Sequence, residues 1–460
     1  MSLHIVILAA GQGKRMHSKT PKVLHNLGGK PMLTRVVETA LTLNPVKIHV
    51  IIGHESETIK KALPRLPVNW VHQKEQAGTG HAVLQALPFI SNDADVLVLS
   101  ADVPLIQTDT LQALIDRSKD GSFTQALGLL LALVPNPQGL GRIIRNHLHE
   151  IQAIVEEKDA SDEDRQINEI YSGICYAPAA DLKRWLPKLS GDNAQQEYYL
   201  TEIIAMAVAE KKEITSIHAE DFVEIFGVNN RLQLEELERA LQTRLAENLM
   251  LSGVGVADAQ RLDIRGDLTC GIDVFIDVNT VFKGKVMLGD GTSIAPNCVL
   301  NNVTIGENCE ILPNSVLENC EIGNHCQIGP FARIRPGTKL ANHCKIGNFV
   351  ETKNAILADN SKASHLSYLG DVTIGQQVNI GAGTITCNYD GANKHQTIIE
   401  DDVFVGSDTQ LIAPVSVGRG ATIGAGSTIR KDVPADELTL TEAKQKTIKG
   451  WKRPQKTKKA

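Results

Sequence analysis

Aromatic side chains are scarce in this chain, at 4% of 460 residues, although apolar residues of all kinds reach 42%. A core filled by large rings is therefore excluded. With 37 glycines, the interior has to be built from small and β-branched side chains, which points to sheet or solenoid. Long hydrophobic runs are missing too: the longest, ALGLLLALV at Ala126 to Val134, falls well short of the ~20 residues of a membrane span and stops at Pro135, so it reads as a buried strand. The eight cysteines contain no C-x-x-C pair, so there is no zinc signature. Basic residues do not exceed acidic ones, and a net charge of −6 excludes the overall positive field of a nucleic-acid binder and favours small-molecule chemistry. No charged segment followed by an apolar stretch precedes HIVILAAG, so a cytoplasmic protein with no membrane partner is expected. The length calls for two or three domains.

What is present begins with an alternation. Across residues 1–228, apolar runs (HIVILA, KIHVIIG, ADVLVLS) alternate with helical patterns such as PMLTRVVETALTL, the signature of βαβ units on a mostly parallel sheet. Ligands in such sheets sit beyond the carboxyl ends of the strands. The unusual residues cluster there.

LAAGQGKRM, Leu8 to Met16, follows the first run. Gly11 and Gly13 lack the third glycine of a dinucleotide fingerprint, and no acidic residue closes a second strand at the right distance. Two glycines that let N–H groups approach an anion, with Arg15 and then Lys22 in TPKVL, suit a triphosphate; G-x-G taken alone describes a tight strand-to-helix turn with solvated basic residues. In QKEQAGTGHA, Gly78 and Thr79 bring backbone donors and a hydroxyl to another strand end, and Gln73 and Gln76 offer amides that can read a base edge; a capped helix start fits as well. Asp102 ends the run VLVLSAD, placed either for Mg²⁺, which takes one or two protein oxygens, or as a helix cap. GLGRIIR, IVEEKD and GVNNR add a glycine turn, the carboxylate of Glu156 and the amide of Asn229.

In this order, L-A-A-G-x-G-x-R-M with P-K-V-L, Q-x-x-Q-x-G-T-G-H-A, D-V-P-L and G-V-N-N-R resemble the sugar-1-phosphate nucleotidylyltransferases, and most closely the uridylyltransferase half of the bifunctional bacterial N-acetylglucosamine-1-phosphate uridylyltransferase and glucosamine-1-phosphate acetyltransferase family. The resemblance implies an α/β Rossmann-like nucleotidyltransferase domain with a mixed, mostly parallel sheet over residues 1–228. It implies that Leu8, Ala9, Ala10, Gly11 and Lys22 hold UTP with Arg15 on its phosphates, that Gln73, Gln76, Gly78 and Thr79 read uracil and ribose, and that Ser100, Ala101 and Asp102 complete the nucleotide site. Asp102 and Asn229 would bind Mg²⁺, and Gly141, Glu156 and Tyr171 the N-acetylglucosamine moiety. Ala101 stands where the family usually has glycine, and Tyr171 where many members have asparagine.

After a leucine-striped linker helix over residues 229–250, with leucines 232, 237, 241, 245 and 249, the composition shifts. Leu288, Ile294 and Leu300 recur at a period of six, as do Ile322, Ile328, Ile334, Leu340 and Ile346, and again Leu411, Val417, Ile423 and Ile429. This is the hexapeptide repeat of a parallel β-helix, one aliphatic residue inside each side of a triangular coil. Cys298, Cys309, Cys326 and Cys344 each follow an aliphatic position by four residues, a phase that predicts buried core thiols rather than metal ligands or disulfides. Two stretches, 353–371 and 386–397, break the repeat, and breaks in a solenoid map to loops on the binding face.

G-N-F-V-E-x-K, S-K-A-x-H-L-x-Y-L-G-D and N-I-G-A-G-T-I-T-C-N-Y-D-G-A-N-K are similar to the acetyltransferase half of the same family, which extends the resemblance over nearly the whole chain. It implies a left-handed parallel β-helix over residues 251–460, with His365 as general base. Arg335, Lys353 and Tyr368 would hold the sugar phosphate, Asn379, Asn388, Tyr389 and Lys394 the sugar and acetyl centre, and Ala382, Ser407 and Ala425 the acetyl-CoA channel, with Asn388 and Tyr389 shared. From spacing, Glu351 is a candidate to orient the His365 ring.

The tail carries Lys444, Lys446, Lys449, Lys452, Arg453, Lys456, Lys458 and Lys459, either solvated or on coenzyme A phosphates; Glu442 replaces a cofactor-contacting arginine frequent in the family, and Arg430 or the lysines can substitute. The implied activity is acetylation of glucosamine-1-phosphate and then transfer of UMP from UTP, in a homotrimer acting on small molecules. Two other readings are a nucleotidylyltransferase whose β-helix only regulates or assembles, and an inactive scaffold, which is disfavoured because Arg15, Lys22, Asp102 and Asn229 are all kept.

Overall fold

The structure is a computed structural model that describes residues 2–120, 126–442 and 444–454. The chain divides into two compact units, Met1–Arg244 and Leu245–Ala460.

Among the described residues, the main sheet of the first unit has nine strands: β1 (Leu3–Leu8), β2 (Lys47–Ile52), β3 (Asn69–His72), β4 (Asp95–Ser100), β5 (Leu127–Leu133), β6 (Gly141–Arg145), β7 (Ile151–Val155), β8 (Glu169–Pro178) and β9 (Ile214–His218). The sheet runs β9-β5-β8-β4-β1-β2-β3, with β6 and β7 attached through β8. β1 pairs in parallel with both β2 and β4, whereas β8 lies antiparallel between β4 and β5.

The apolar runs are continuous because both faces are covered. Ile5, Ile7, Leu97 and Leu99 pack into one core with Leu33, Val36 and Val37 of helix Met32–Thr42; Val6, Val96 and Val98 point the other way, against Val83 of Thr79–Ala86 and Leu182 of Ala179–Trp185. The run at Ala126 to Val134 is the expected buried strand, with only Leu133 exposed within β5.

The second unit is a triangular coil of parallel strands. Its inner aliphatics, Ile294, Ile311, Ile328, Ile346, Ala363, Ile380, Val405 and Ile423, stand in register on successive turns. Cys309, Cys326 and Cys344 form a buried column whose thiols donate to the carbonyls of Gly323 (3.0 Å), Ala341 (3.0 Å) and Ala358 (3.2 Å) of the following turn. All eight cysteines are free.

The two expected interruptions differ. Between Cys387 and Thr397 the chain does leave the coil, so the aligned Ile380 and Val405 are 25 residues apart, where Ala363 and Ile380 are 17 apart. Residues 353–371, expected to be a loop, instead form regular strands (Glu351–Leu357, Lys362–His365, Tyr368–Ile374). Thr352 and Ala363 occupy the aliphatic positions there, both fully buried, and their small side chains hide the repeat from the sequence pattern.

Helix Arg231–Leu251 buries Leu237 and Leu241, while Leu232 is exposed and Leu245 and Leu249 pack on the second unit's core. Among the described residues no helix is long and apolar enough to cross a membrane.

Candidate active sites

The carboxyl ends of β1, β3 and β4 open on a cavity of about 560 Å³. Leu8, Ala9, Ala10, Gly11, Arg15, Lys22, Gln73, Gln76, Gly78, Thr79, Ser100, Asp102 and Asn229 all line it, so motifs scattered over more than 200 residues meet in one place.

The glycines have distinct tasks. Gly13 sits at φ +62°, and a Cβ there would come within 2.6 Å of Lys22 Cβ, so only glycine lets the lysine pass close beneath the turn. A Cβ on Gly78, at φ +111°, would strike the Tyr198 backbone at 2.6 Å. A Cβ on Gly11 would meet nothing within 4 Å, and the residue lines the cavity.

Gln73 is buried and its amide donates to Gly78 O at 3.2 Å, bracing this loop. Gln76 donates to Ala10 O (2.9 Å) and accepts from Gln12 (2.7 Å). The Thr79 hydroxyl accepts from Leu200 N–H (3.0 Å), which leaves its own proton to donate. Ala101, expected at the nucleotide, does not line the cavity: it is fully buried in the core and its N–H is bonded to Leu8 O at 3.0 Å.

Asp102 caps no helix, since the next begins at Thr108. Its carboxylate accepts from the Ser100 hydroxyl (2.6 Å) and from the Lys22 ammonium. That ammonium also binds Asn229 Oδ1 at 3.0 Å, as does Arg15 at 2.9 Å. Two oxygens from distant parts of the chain thus converge on one cation, and the donor set suits a hard divalent ion that takes one or two protein oxygens.

Gly141, Glu156 and Tyr171 form a neighbouring cluster: Gly141 pairs with Tyr171, and a Cβ on Gly141 would approach the Glu156 carboxylate to 3.7 Å. Burial pushes the Glu156 carboxyl above its ordinary pKa, partly offset by the Thr201 hydroxyl at 3.3 Å. Burial likewise pushes the Tyr171 phenol well up. Glu197, which also lines this cavity, was not singled out from sequence: QQEYYL carries no strand signal, and the Tyr198 backbone bonds to Ala77 and Gly80, with Leu200 N–H on Thr79, bring it in.

In the second unit, register aligns His365, Ala382, Ser407 and Ala425, each two residues past an inner aliphatic, on four successive turns. His365 is exposed. Its Nδ1 is bonded to Asn348 Oδ1 at 2.8 Å, and Asn348 is its register partner one turn earlier. Glu351, expected to orient this ring, instead pairs with Arg335 at 2.6 Å, because it lies on the adjoining side of the triangle beside Tyr368. Asn348 has the same phase as His365, and that was the signal in the sequence.

On that adjoining side a Cβ at Gly370 would meet the Tyr368 hydroxyl (2.4 Å) and the Asn388 amide (2.8 Å), so both side chains lie across this glycine. Asn388 is buried and donates to Asp371 at 2.5 Å. Lys394 and then Arg335 hold the Lys353 ammonium below its ordinary pKa, marking a concentration of positive charge suited to a phosphate. Tyr389 is exposed in the inserted loop, its hydroxyl donating to Gly391 O (2.6 Å). Asn379 lies beside Lys362 on the His365 side. The tail's Lys444, Lys446, Lys449, Lys452 and Arg453 are exposed, as are Arg430 and Glu442; Lys456, Lys458 and Lys459 lie outside the described residues.

Comparison with known proteins agrees with both halves. A MobA-like NTP transferase domain model matches residues 5–128, and a bacterial transferase hexapeptide (six repeats) model matches 319–354 and 396–431. "Bifunctional protein GlmU" of Legionella pneumophila (strain Paris) is 65% identical over 457 residues, 99% of each chain. "Bifunctional protein GlmU" of Marinobacter nauticus is 54% identical over 454 residues, again 99% of each. With two catalytic-type units in the same order and such identity from end to end, the chain belongs to the bifunctional GlmU family.

Proposed function

We propose that this chain makes UDP-N-acetylglucosamine in two steps: acetyl transfer from acetyl-CoA to the amine of glucosamine-1-phosphate in the second unit, then uridylyl transfer from UTP to N-acetylglucosamine-1-phosphate in the first. The observation that carries this reading is the meeting of Arg15, Lys22, Asp102 and Asn229 at one cavity mouth, in a chain that also aligns His365 with Ala382, Ser407 and Ala425.

For uridylyl transfer, a phosphate oxygen of the sugar phosphate attacks the α-phosphorus of UTP and pyrophosphate leaves. The nucleophile is already an anion, so no base is needed, and the work of the protein is alignment and charge neutralisation. Leu8 to Gly11 and Arg15 receive the triphosphate, Gln76 and Thr79 the base and ribose, and Gly141, Glu156 and Tyr171 the sugar. The family's nucleotidyltransferase chemistry uses a divalent metal; Asp102 and Asn229 would hold it as Mg²⁺, which supplies further charge neutralisation on the phosphates.

For acetyl transfer, the substrate amine must lose a proton before it attacks the thioester carbonyl; the thiolate of coenzyme A then leaves. His365 Nε2 takes that proton, because Nδ1–H is held by Asn348 and the other nitrogen is left with a free lone pair. Arg335, Lys353 and Lys394 receive the phosphate, and Asn388 and Tyr389 border the acetyl centre.

A homotrimer is part of this reading. Phe331, Phe349 and Leu366 stack on one corner beside His365 at 50%, 57% and 60% exposure, an apolar ridge that a second copy would cover.

The test supplies glucosamine-1-phosphate, acetyl-CoA, UTP and Mg²⁺ together. UDP-N-acetylglucosamine, free coenzyme A and pyrophosphate in equal amounts are expected, and absence of the nucleotide sugar would refute the proposal.

A further inference from the structure

The proposed chemistry of the first unit does not require Lys22 to sit where the structure puts it. The ammonium bridges Asp102 Oδ2 and Asn229 Oδ1, the second at 3.0 Å, while Arg15 takes the same amide oxygen at 2.9 Å and the Ser100 hydroxyl takes Asp102 Oδ1 at 2.6 Å. Both oxygen-bearing groups assigned to the divalent ion are thus already in use by donors of this chain. The Lys22 side chain is only 11% exposed, and Gly13 hems in its base, so the ammonium can leave Asp102 only by turning within the cavity that Leu8 to Gly11 also line. Charge adds a second constraint: a divalent ion entering beside retained Lys22 and Arg15 would set four positive charges against the single carboxylate of Asp102.

We propose that Lys22 is a built-in competitor for the metal position: without nucleotide its ammonium fills the place between Asp102 and Asn229, and the triphosphate draws it aside. Metal and nucleotide then enter as a coupled pair, and the site does not collect divalent ions on its own. This rests on reading the first unit as a metal-assisted nucleotidyltransferase.

The test is Mn²⁺ binding to the full-length chain without nucleotide, followed by the electron paramagnetic resonance signal of the free ion. Wild type, Lys22→Met, Lys22→Gln, Lys14→Met and Asp102→Asn are compared. Lys14 lines the same cavity but touches neither metal-site oxygen, so its variant removes a nearby charge without vacating the position. Both Lys22 variants are expected to bind the Asp102-dependent ion more tightly, by about tenfold if the ammonium holds the position nine-tenths of the time, with Lys14→Met close to wild type. Unchanged or weaker binding in both Lys22 variants, or an equal gain in Lys14→Met, overturns the competitor while loss of the ion in Asp102→Asn leaves the metal site standing. Unchanged binding in Asp102→Asn removes the metal site itself, and the competitor with it.

Discussion

Asp102 and His365 lie in different units and are proposed to serve different reactions, which makes them separable by single substitutions. Asp102→Asn keeps the shape and removes the charge; uridylyl transfer should fall by about 100-fold or more while acetyl transfer stays at the wild-type rate. His365→Ala should do the reverse, lowering acetyl transfer by about 10²- to 10⁴-fold. Each activity assayed with its own substrate decides the matter, and a variant that lowers both equally would contradict the division of labour. A different residue-scale prediction concerns pH. His49 is buried against His4 (3.0 Å) and Asn69 (3.0 Å), with Phe89 stacked on its ring. Burial first, then the neighbouring charges of His4 and Lys47, push its pKa down to about 4, and burial lowers His4 as well. In the unfolded chain the ring titrates near ~6.5. Between those values the unfolded state holds the extra proton, so this contribution to stability is complete above pH ~6.5, declines as pH falls towards 4, and levels off below. Thermal melting of the first unit should therefore drop steadily from pH 7 to pH 4.5, and His49→Gln should melt with a shallower dependence. An identical slope in that variant would assign the acid sensitivity elsewhere.

At the scale of elements, what could be read in advance was local and what could not was relational. Ile322, Ile328, Ile334, Leu340 and Ile346 announce the coil because every turn repeats the same packing demand, and the thiols share its phase for the same reason. The strands of the first unit were legible from runs such as VLVLS, buried on both faces. Insertion of β8 antiparallel between β4 and β5 was not, since pairing partners tens of residues apart, such as Tyr176 with Leu97 and with Gly128, leave no mark in a one-dimensional pattern. Asn348 did leave a mark, the phase it shares with His365, but the two meet only because one turn of this coil is 17 residues long. The same close stacking yields a prediction. A Cβ on Gly347 would lie 1.9 Å from Ser364 O on the next turn, with no flexible side chain to yield. Gly347→Ala should destabilise the second unit by about 1–3 kcal/mol and, by shifting the turn that carries His365, lower acetyl transfer. Melting and activity curves of the variant check both, and a wild-type melting point would mean that the turns can slide apart at no cost.

For the whole molecule, the exposed stack of Phe331, Phe349 and Leu366 is the feature least compatible with a lone chain, the more so where aromatic residues are so few. Phe349→Lys with Leu366→Lys should lower the molar mass measured by light scattering in solution, and acetyl transfer should fall with it while uridylyl transfer persists. Unchanged mass would place the contact on another face. The alignment of His365 with Ala382, Ser407 and Ala425 has one more consequence. Parallel strands recur about every 4.8 Å, so these four positions graduate the outside of the coil like marks on a ruler, about 14 Å from first to last. A long, thin acyl carrier laid along that ruler has its reactive end fixed by length alone. Moving the histidine up or down by one mark would then select a carrier of different reach without redesigning the rest of the coil.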